Sequence, residues 1–590
     1  MHVELSNGTG EPRAPTGPPI RNDTIDAPEG PARPILEHEH EHEDEDEDEN
    51  KSDYGGVVPM YGHVAAVSRR HDDASIVRVV MYILDLASTY RLELGAAGIV
   101  LTIAYIAANA VYQLYFSPIA GFPGPWLAAV TFWYEFYYDV VLRGRYTWRI
   151  GELHQQYGPI VRINPYELHI NDPDFYDDVY AGPTKTTDKW AWSAKMFGDG
   201  GSGFSTVSHD LHRRRRAALS TFFSKRSVTR LEPMIQGAVD HLCARLRGFQ
   251  PSGEPLNLGH AWSALTADVI TEYSFGKSFD LLSTPDFASD FYDMMMAPSE
   301  LTHLIKQFGW LFPLLERMPH WFVAITNPPI MALIRIQLNM EDQVRRIQAS
   351  KPEEYSTGEH PTIFHELLTA DIPREEQTMR RMVYEGQTLV GAGTLTTAHA
   401  LKTISYHLLA NPASRRKLQQ ELAAAGATAS AHLPLQQLEQ LPYLHAVVNE
   451  GLRLGYGVSS RLQRVAPDRA LQFEEWVIPP GTPVSMTSVY LHDNERLFPD
   501  PRTWKPERWL EGASMDRLEK YLVPFSRGTR GCLGMNLAYA EMYLATASVF
   551  GQFDLVLYET TRDDVETAHD FFNPSPRLDS TGLRVTVGKA

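Results

Sequence analysis

Ten residues near the C-terminal end constrain this chain more than any other feature: Phe525-Ser526-Arg527-Gly528-Thr529-Arg530-Gly531-Cys532-Leu533-Gly534. Glycines punctuate the run around a single cysteine, and a helical stretch over residues 536–550 follows. Glycine admits close backbone approaches that other residues block, so a loop of this kind brings peptide N–H groups up to the sulfur. A cysteine at the start of a helix also has its thiolate favoured by the helix dipole. The chain holds one other cysteine, Cys243, which excludes a disulfide framework and points to a reducing, cytosol-facing site.

At 590 residues the chain exceeds the roughly 250 to 300 that one compact core supports, so a large domain with appendages is expected. The net charge of −19 lies mostly at the front, where residues 1–75 carry 18 Asp and Glu against 6 Lys and Arg. This acidic extension, residues 1–90 as a domain, is rich in Pro and Gly and includes Glu37-His38-Glu39-His40-Glu41-His42-Glu43-Asp44. Such a composition buries too little apolar surface to offset the entropy of ordering, and disorder is expected there.

Residues 94–116, LGAAGIVLTIAYIAANAVYQLYF, carry no charge, and Asn109 and Gln113 are notable polar interruptions. The run is long enough to cross a bilayer at about 20 residues per span, and it lies too far from Met1 for a cleaved signal peptide. A single-pass N-terminal membrane anchor is predicted. Phe122-Pro123-Gly124-Pro125 then forbids helix and sets a stiff, extended exit. Residues 118–590 alternate long helical stretches with short strand-like pieces such as Trp476-Val477-Ile478 before Pro479-Pro480-Gly481. No repeat or linker divides them, so one mainly α domain with minor β is predicted.

The cysteine loop resembles the haem-binding loop of the cytochrome P-450 superfamily, and the resemblance extends over about residues 112–590. Thr362-Ile363-Phe364-His365-Glu366-Leu367 and Leu491-His492 are similar to phrases of fungal secondary-metabolite members, including trichodiene oxygenase-like enzymes. The resemblance implies the cytochrome P-450 fold and haem b ligated through Cys532, whose thiolate donates electron density that favours O–O cleavage. Phe525 and Arg530 of the same loop are implied to contact the cofactor. Haem carries two propionates, so cations must converge on it, with Arg preferred for its bidentate fork. Besides Arg530, Arg464 matches the family's strand arginine, and His212 with Arg216 matches its aromatic-x-x-x-Arg pair, histidine standing where tryptophan is usual. Arg213 to Arg215 read instead as a basic face for phospholipid or a redox partner.

Gly391-Ala392-Gly393-Thr394-Leu395-Thr396-Thr397, inside the helical run 382–410, is similar to the family's oxygen-binding segment. Ala392 and Gly393 are implied to leave room for a diatomic ligand, and Thr396 takes the proton-relay position. The acid that usually precedes it is replaced by Leu395. Glu450-Gly451-Leu452-Arg453 puts a carboxylate and a guanidinium on one helical face, and with Arg508 of Pro506-Glu507-Arg508-Trp509 it matches the family's buried structural triad.

The implied activity is a haem-dependent monooxygenase inserting one oxygen atom from O2 into a small apolar organic substrate, by analogy a terpenoid or polyketide intermediate. Electrons are implied to come from NADPH through a separate flavoprotein reductase, at the endoplasmic reticulum membrane with the catalytic domain facing the cytosol. No nucleic-acid partner is implied. A lumenal extension makes the sequons Asn7-Gly8-Thr9 and Asn22-Asp23-Thr24 glycosylation acceptors. Two other functions remain open: a reductase-independent isomerase or dehydratase of a peroxide or oxime, which Leu395 fits, and a non-catalytic haem-binding membrane protein. Gly198-Asp199-Gly200-Gly201-Ser202-Gly203 has the spacing of a dinucleotide fingerprint but no preceding strand, and is read as a loop. In the resembled fold it borders the substrate entrance, with Trp190, Trp192 and Phe197 as candidate lining residues.

Overall fold

The computed structural model describes residues 63–197, 201–349, 362–369, 372–427, 432–510 and 518–588. The Glu-His run, both sequons and Gly198-Asp199-Gly200 lie outside the described residues. The chain forms two compact units, Met1–Leu94 and Gly95–Ala590.

Helix α1 (His63–Val111) starts inside the extension expected to be disordered, and residues 63–90 are helical. The reason is compositional: no Gly or Pro occurs from residue 63 to 94, and Ala, Leu, Val and Arg dominate, so helix propensity prevails over the few acids. Glu93–Phe116 is one segment long and apolar enough to cross a membrane. Its last turn, Tyr112–Phe116, widens, and Gln113 there is buried. Arg162 donates from Nη2 to Gln113 Oε1 at 2.7 Å and from Nη1 to its carbonyl at 2.8 Å. The polar interruption is therefore a protein contact rather than a group exposed to lipid.

The principal sheet runs β1 (Ile160–Arg162), β2 (Leu168–Ile170), β5 (Pro483–Ser485), β4 (Arg464–Val465), β3 (Asp188–Lys189) in spatial order. Only the β2–β5 pair is parallel, and the β3–β4 register sets Lys189 opposite Arg464. Trp476–Ile478 is a strand, as expected, and pairs antiparallel with Leu471–Phe473.

The main apolar core lies among helices: α2 (His209–Ser220), α3 (Glu232–Phe249), α4 (Leu258–Phe275), α6 (Pro328–Ala349), α7 (Met379–Ala410), α8 (Pro442–Gly455) and α9 (Met535–Gln552), with α5 (Ser289–Gln307) at its border. α4 is buried nearly all round, as a helix apolar on every face must be. It lies along α7, where Trp262 donates to Ser405 Oγ at 3.0 Å and Thr266 to the Thr394 carbonyl at 2.9 Å. Gly393 permits this approach, because a Cβ there would stand 2.8 Å from Ile270 Cγ1. At 32 residues and about 1.5 Å per residue, α7 reaches roughly 48 Å through the molecule.

Candidate active site

The cysteine loop is fixed from both sides. Cys532 N–H donates to the Phe525 carbonyl at 2.8 Å, and the Phe525 ring packs 5.3 Å from Tyr539 on α9. Gly528 has φ +71° and lies against the carbonyls of Tyr180 and Ala181, where a Cβ would collide, and Thr529 N–H donates to Ala181 at 3.2 Å. Gly534 caps α9, so Cys532 stands just before the helix start, as expected.

Cys532 is exposed, and it faces a cavity of about 400 Å³ shared with Thr396 and Phe525. The surrounding protein pushes its thiol pKa up by desolvation. The N–H of Gly534, the Arg216 guanidinium and the N–H of Met535 oppose this, the two N–H groups donating to sulfur. These donors and the nearby cation each favour the thiolate, but desolvation outweighs them and the net shift is upward.

Cations gather at the same cavity. Arg530 donates to the carbonyls of Thr206 at 2.7 Å and Val207 at 2.5 Å, and burial, then Arg464, pull its pKa down to about 9. Arg216 donates to the Gly531 carbonyl at 2.8 Å. Burial, then Arg530, pushes His212 down to about 3, so its ring is neutral, and its Nδ1 is buried with no partner among the described residues. Arg464 stands behind the wall: its guanidinium lies 5.1 Å from the Tyr180 ring and donates to the Gln463 carbonyl at 3.0 Å. In its place at the wall is Lys189, its strand partner, which sequence reasoning missed. Burial, then Arg464 and Arg530, hold its pKa well below the usual lysine value. The signal for Lys189 is the β3–β4 register, which no local pattern reveals.

None of Lys189, Arg216, Arg464 and Arg530 pairs with a carboxylate among the described residues, although Asp188 offsets part of the field at Arg530. Buried cations without counter-ions are expensive. An uncompensated cationic wall, a partnerless imidazole nitrogen and a thiol supported by N–H donors, all around one cavity, fit haem: two carboxylates for the cations and a metal for the sulfur.

On the other side, Ala392, Gly393 and Thr396 line the cavity from α7. The helix continues without interruption through this segment, and Thr396 Oγ1 donates to the Ala392 carbonyl at 2.8 Å. Leu395, in the usual place of an acid, is buried at the wall. A second residue that sequence reasoning missed is Glu541 on α9: it reaches the cavity, its Oε2 has no partner among the described residues, and burial raises its carboxyl well above the ordinary range. Its only sequence signal is an acid on an otherwise apolar helix.

The triad assembles as expected. Glu450 Oε1 accepts from Arg453 Nη2 at 2.8 Å and Arg508 Nε at 3.2 Å, while Trp509 donates to Oε2 at 2.9 Å. Burial would raise the Glu450 carboxyl, but Arg453, then Arg508, hold it below its usual value. Two other expectations need correction. Arg215 is not a surface cation: Glu376 takes it at 2.7 Å and Thr206 Oγ1 at 2.8 Å. Trp190 and Trp192 stack with Phe132 at 6.3 and 4.6 Å, away from the cavity wall. Phe197 does line it, packed on Phe572 at 4.7 Å.

A fold of this kind, with one cysteine presented to a cation-rimmed cavity beneath a long helix, defines a haem-thiolate oxidoreductase. The model of the cytochrome P450 family matches residues 123–580, and the chain belongs to that family. It is 49% identical over 480 residues to the tryptophan 6-hydroxylase of Fusarium equiseti, covering 81% of this chain and 94% of the relative. It is 44% identical over 510 residues to the N-acetyltryptophan 6-hydroxylase of Emericella nidulans (86% and 99%). It is 41% identical over 493 residues to the conidiogenone synthase of Penicillium rubens (82% and 97%). The chain is thus a cytochrome P450 monooxygenase with fungal secondary-metabolite relatives, and the family implies haem held by a cysteine thiolate.

Proposed function

We propose that this chain inserts one oxygen atom from O2 into a small apolar organic substrate of fungal secondary metabolism, held in the cavity between α7 and Cys532. The observation that carries the reading is the convergence of Cys532, the unpaired cations and a mostly apolar wall on one space. Haem, bound through Cys532, supplies the iron that activates oxygen. Arg530, Arg216, Lys189 and His212 would hold its propionates, with Arg464 behind them; the small Ala392 and Gly393 would leave the backbone of α7 open to a diatomic ligand at the cavity, while the side-chain space at Gly393 itself is taken by Ile270. Thr396 Oγ1 holds a proton on the Ala392 carbonyl and turns to deliver it into the cavity. Glu450, Arg453 and Arg508 brace the fold beneath. Relatives named for tryptophan, N-acetyltryptophan and conidiogenone support a ring-bearing skeleton without choosing among indole, terpenoid and polyketide.

The reductase, drawing on NADPH, docks on the exposed Arg213 and Arg214. Residues 94–116 anchor the chain in the endoplasmic reticulum membrane, ahead of a catalytic domain over 118–590 that faces the cytosol. Exposed Trp133 and Trp310, joined through Phe308 at 6.2 and 6.1 Å, give that domain an apolar patch suited to lipid.

The test is the carbon-monoxide difference spectrum of the reduced full-length protein. A thiolate-type Soret band present in the wild type and lost in Cys532→Ala is expected; its absence from folded wild type overturns the reading. Leu395 favours one rival, an isomerase or dehydratase, which would turn over without NADPH or reductase.

A further inference from the structure

Three threonine hydroxyls along the cavity wall are engaged within their own helices. Thr302 donates to the Ser299 carbonyl at 2.7 Å, Thr388 to Tyr384 at 2.8 Å and Thr396 to Ala392 at 2.8 Å. Gln337 on α6 and Gln387 on α7 differ. Both line the cavity, among apolar neighbours such as Leu333, Ile336 and Leu389, and Gln337 Nε2 donates to Gln387 Oε1 at 3.1 Å. Neither side chain makes another hydrogen bond among the described residues.

A side-chain amide has two N–H donors and a carbonyl acceptor, so one bond between two amides leaves a full NH2 on the accepting partner and a free carbonyl on the donating one. Exchanging oxygen and nitrogen in both groups reverses the roles but leaves the same two offers. The wall therefore presents a donor and an acceptor side by side, the complement of a single amide group. Burying unmatched polar groups under an apolar ligand is costly, so such a pair discriminates against plain hydrocarbon at that position.

We infer that Gln337 and Gln387 form an amide-recognising subsite, and that the substrate is an apolar skeleton bearing one carboxamide or N-acyl group. The inference rests on the monooxygenase reading and narrows its substrate class. The carbonyl of the ligand accepts from the free NH2, its N–H donates to the free carbonyl, and the apolar remainder extends toward Cys532.

The test uses probes anchored on the haem iron. Full-length holoenzyme is titrated with N-alkylimidazoles of graded chain length, each ending in a carboxamide or in the isosteric isopropyl group, and the Soret shift reports binding. At one length the carboxamide should bind roughly tenfold to a hundredfold more tightly, the effect of two hydrogen bonds. In Gln337→Leu/Gln387→Leu the preference should pass to isopropyl; Gln387→Met alone reports the same change if the double variant does not fold. Equal or tighter isopropyl binding at every length, or a carboxamide preference that survives the substitutions, overturns the inference. A missing carbon-monoxide band in the wild type instead sinks the monooxygenase reading and this one with it.

Discussion

Among Glu135, Asp139, Glu167, Lys306 and Arg461, opposite charges meet at 2.6 to 3.3 Å; around Lys189, Arg216, Arg464 and Arg530 no such pair forms among the described residues. The first group is almost wholly shielded from solvent. Burial alone would raise the Glu135 carboxyl, yet Arg461, then Lys306, hold it down to about 2. The cluster ties Glu135 and Asp139, ahead of β1, and Glu167, after it, to α5 and to the residues leading into β4, and both of its cations meet carboxylates of the fold. The second group has only backbone carbonyls as hydrogen-bond partners, and no carboxylate among the described residues, until an anion arrives. One set of buried charges therefore belongs to the fold, and the other to the ligand.

The comparison breaks most visibly at Arg461. Arg461→Leu leaves Glu167 buried without a cation and Glu135 with Lys306 alone, and a loss of about 3 to 5 kcal/mol is expected, equal with and without haem. Chemical denaturation of both forms measures it; a change confined to the holoprotein would put this cluster with the ligand after all.

Histidines show a third way to bury a polar group, neutrality. His154 Nε2 lies 2.7 Å from His169 Nδ1, and burial lowers His154 to about 4 and holds His169 well below its usual value. The unfolded chain takes up protons below about pH 6.5 and the folded one does not, so stability holds above that value and falls as pH drops toward 4. For His154 alone the loss is roughly 2 kcal/mol at pH 5. Urea midpoints from pH 8 to 5 should fall in the wild type and fall less in His154→Gln. Glu135, with its depressed pKa, keeps its contribution above about 4.5, so a decline delayed to that range would assign acid lability to carboxylates instead.

At the cationic wall the sign should depend on the ligand. Arg216→Leu should speed haem release to apomyoglobin about tenfold while leaving the melting of haem-free protein unchanged. Lys189→Met gives the smallest effect: about 1 kcal/mol more stability for the haem-free protein and about as much weaker haem retention. A destabilised haem-free Lys189→Met would show that the lysine is already compensated.

Much of this arrangement is legible in the sequence because it is local. Phe525 to Gly534 and Glu450 to Arg453 carry their spacing within one loop or one turn of helix, and the structure brings each set together. The charge-free run and the strand at Trp476 are local in the same way, the one by its length and the other by its position ahead of Pro479-Pro480-Gly481. What escaped depends on distant pairing. Lys189 owes its position to a two-residue strand opposite Arg464, and Arg215 leaves the surface because Glu376 lies beside it in space. Helix in residues 63–90 was hidden by neighbouring acids, whose charge governs composition without breaking the helix.

The loop that presents the sulfur is seated on the far earlier part of the chain: Gly528 rests on Tyr180 and Ala181, and Arg216 reaches Gly531 across 315 residues of sequence. A ribosome adding about 5 to 20 residues per second finishes that seat roughly 15 to 60 s before it makes Cys532. The growing polypeptide thus carries a nearly built pocket with no ligand for the iron. Prosthetic-group capture is deferred to the end of translation, and a nascent chain stalled before residue 525 should emerge colourless.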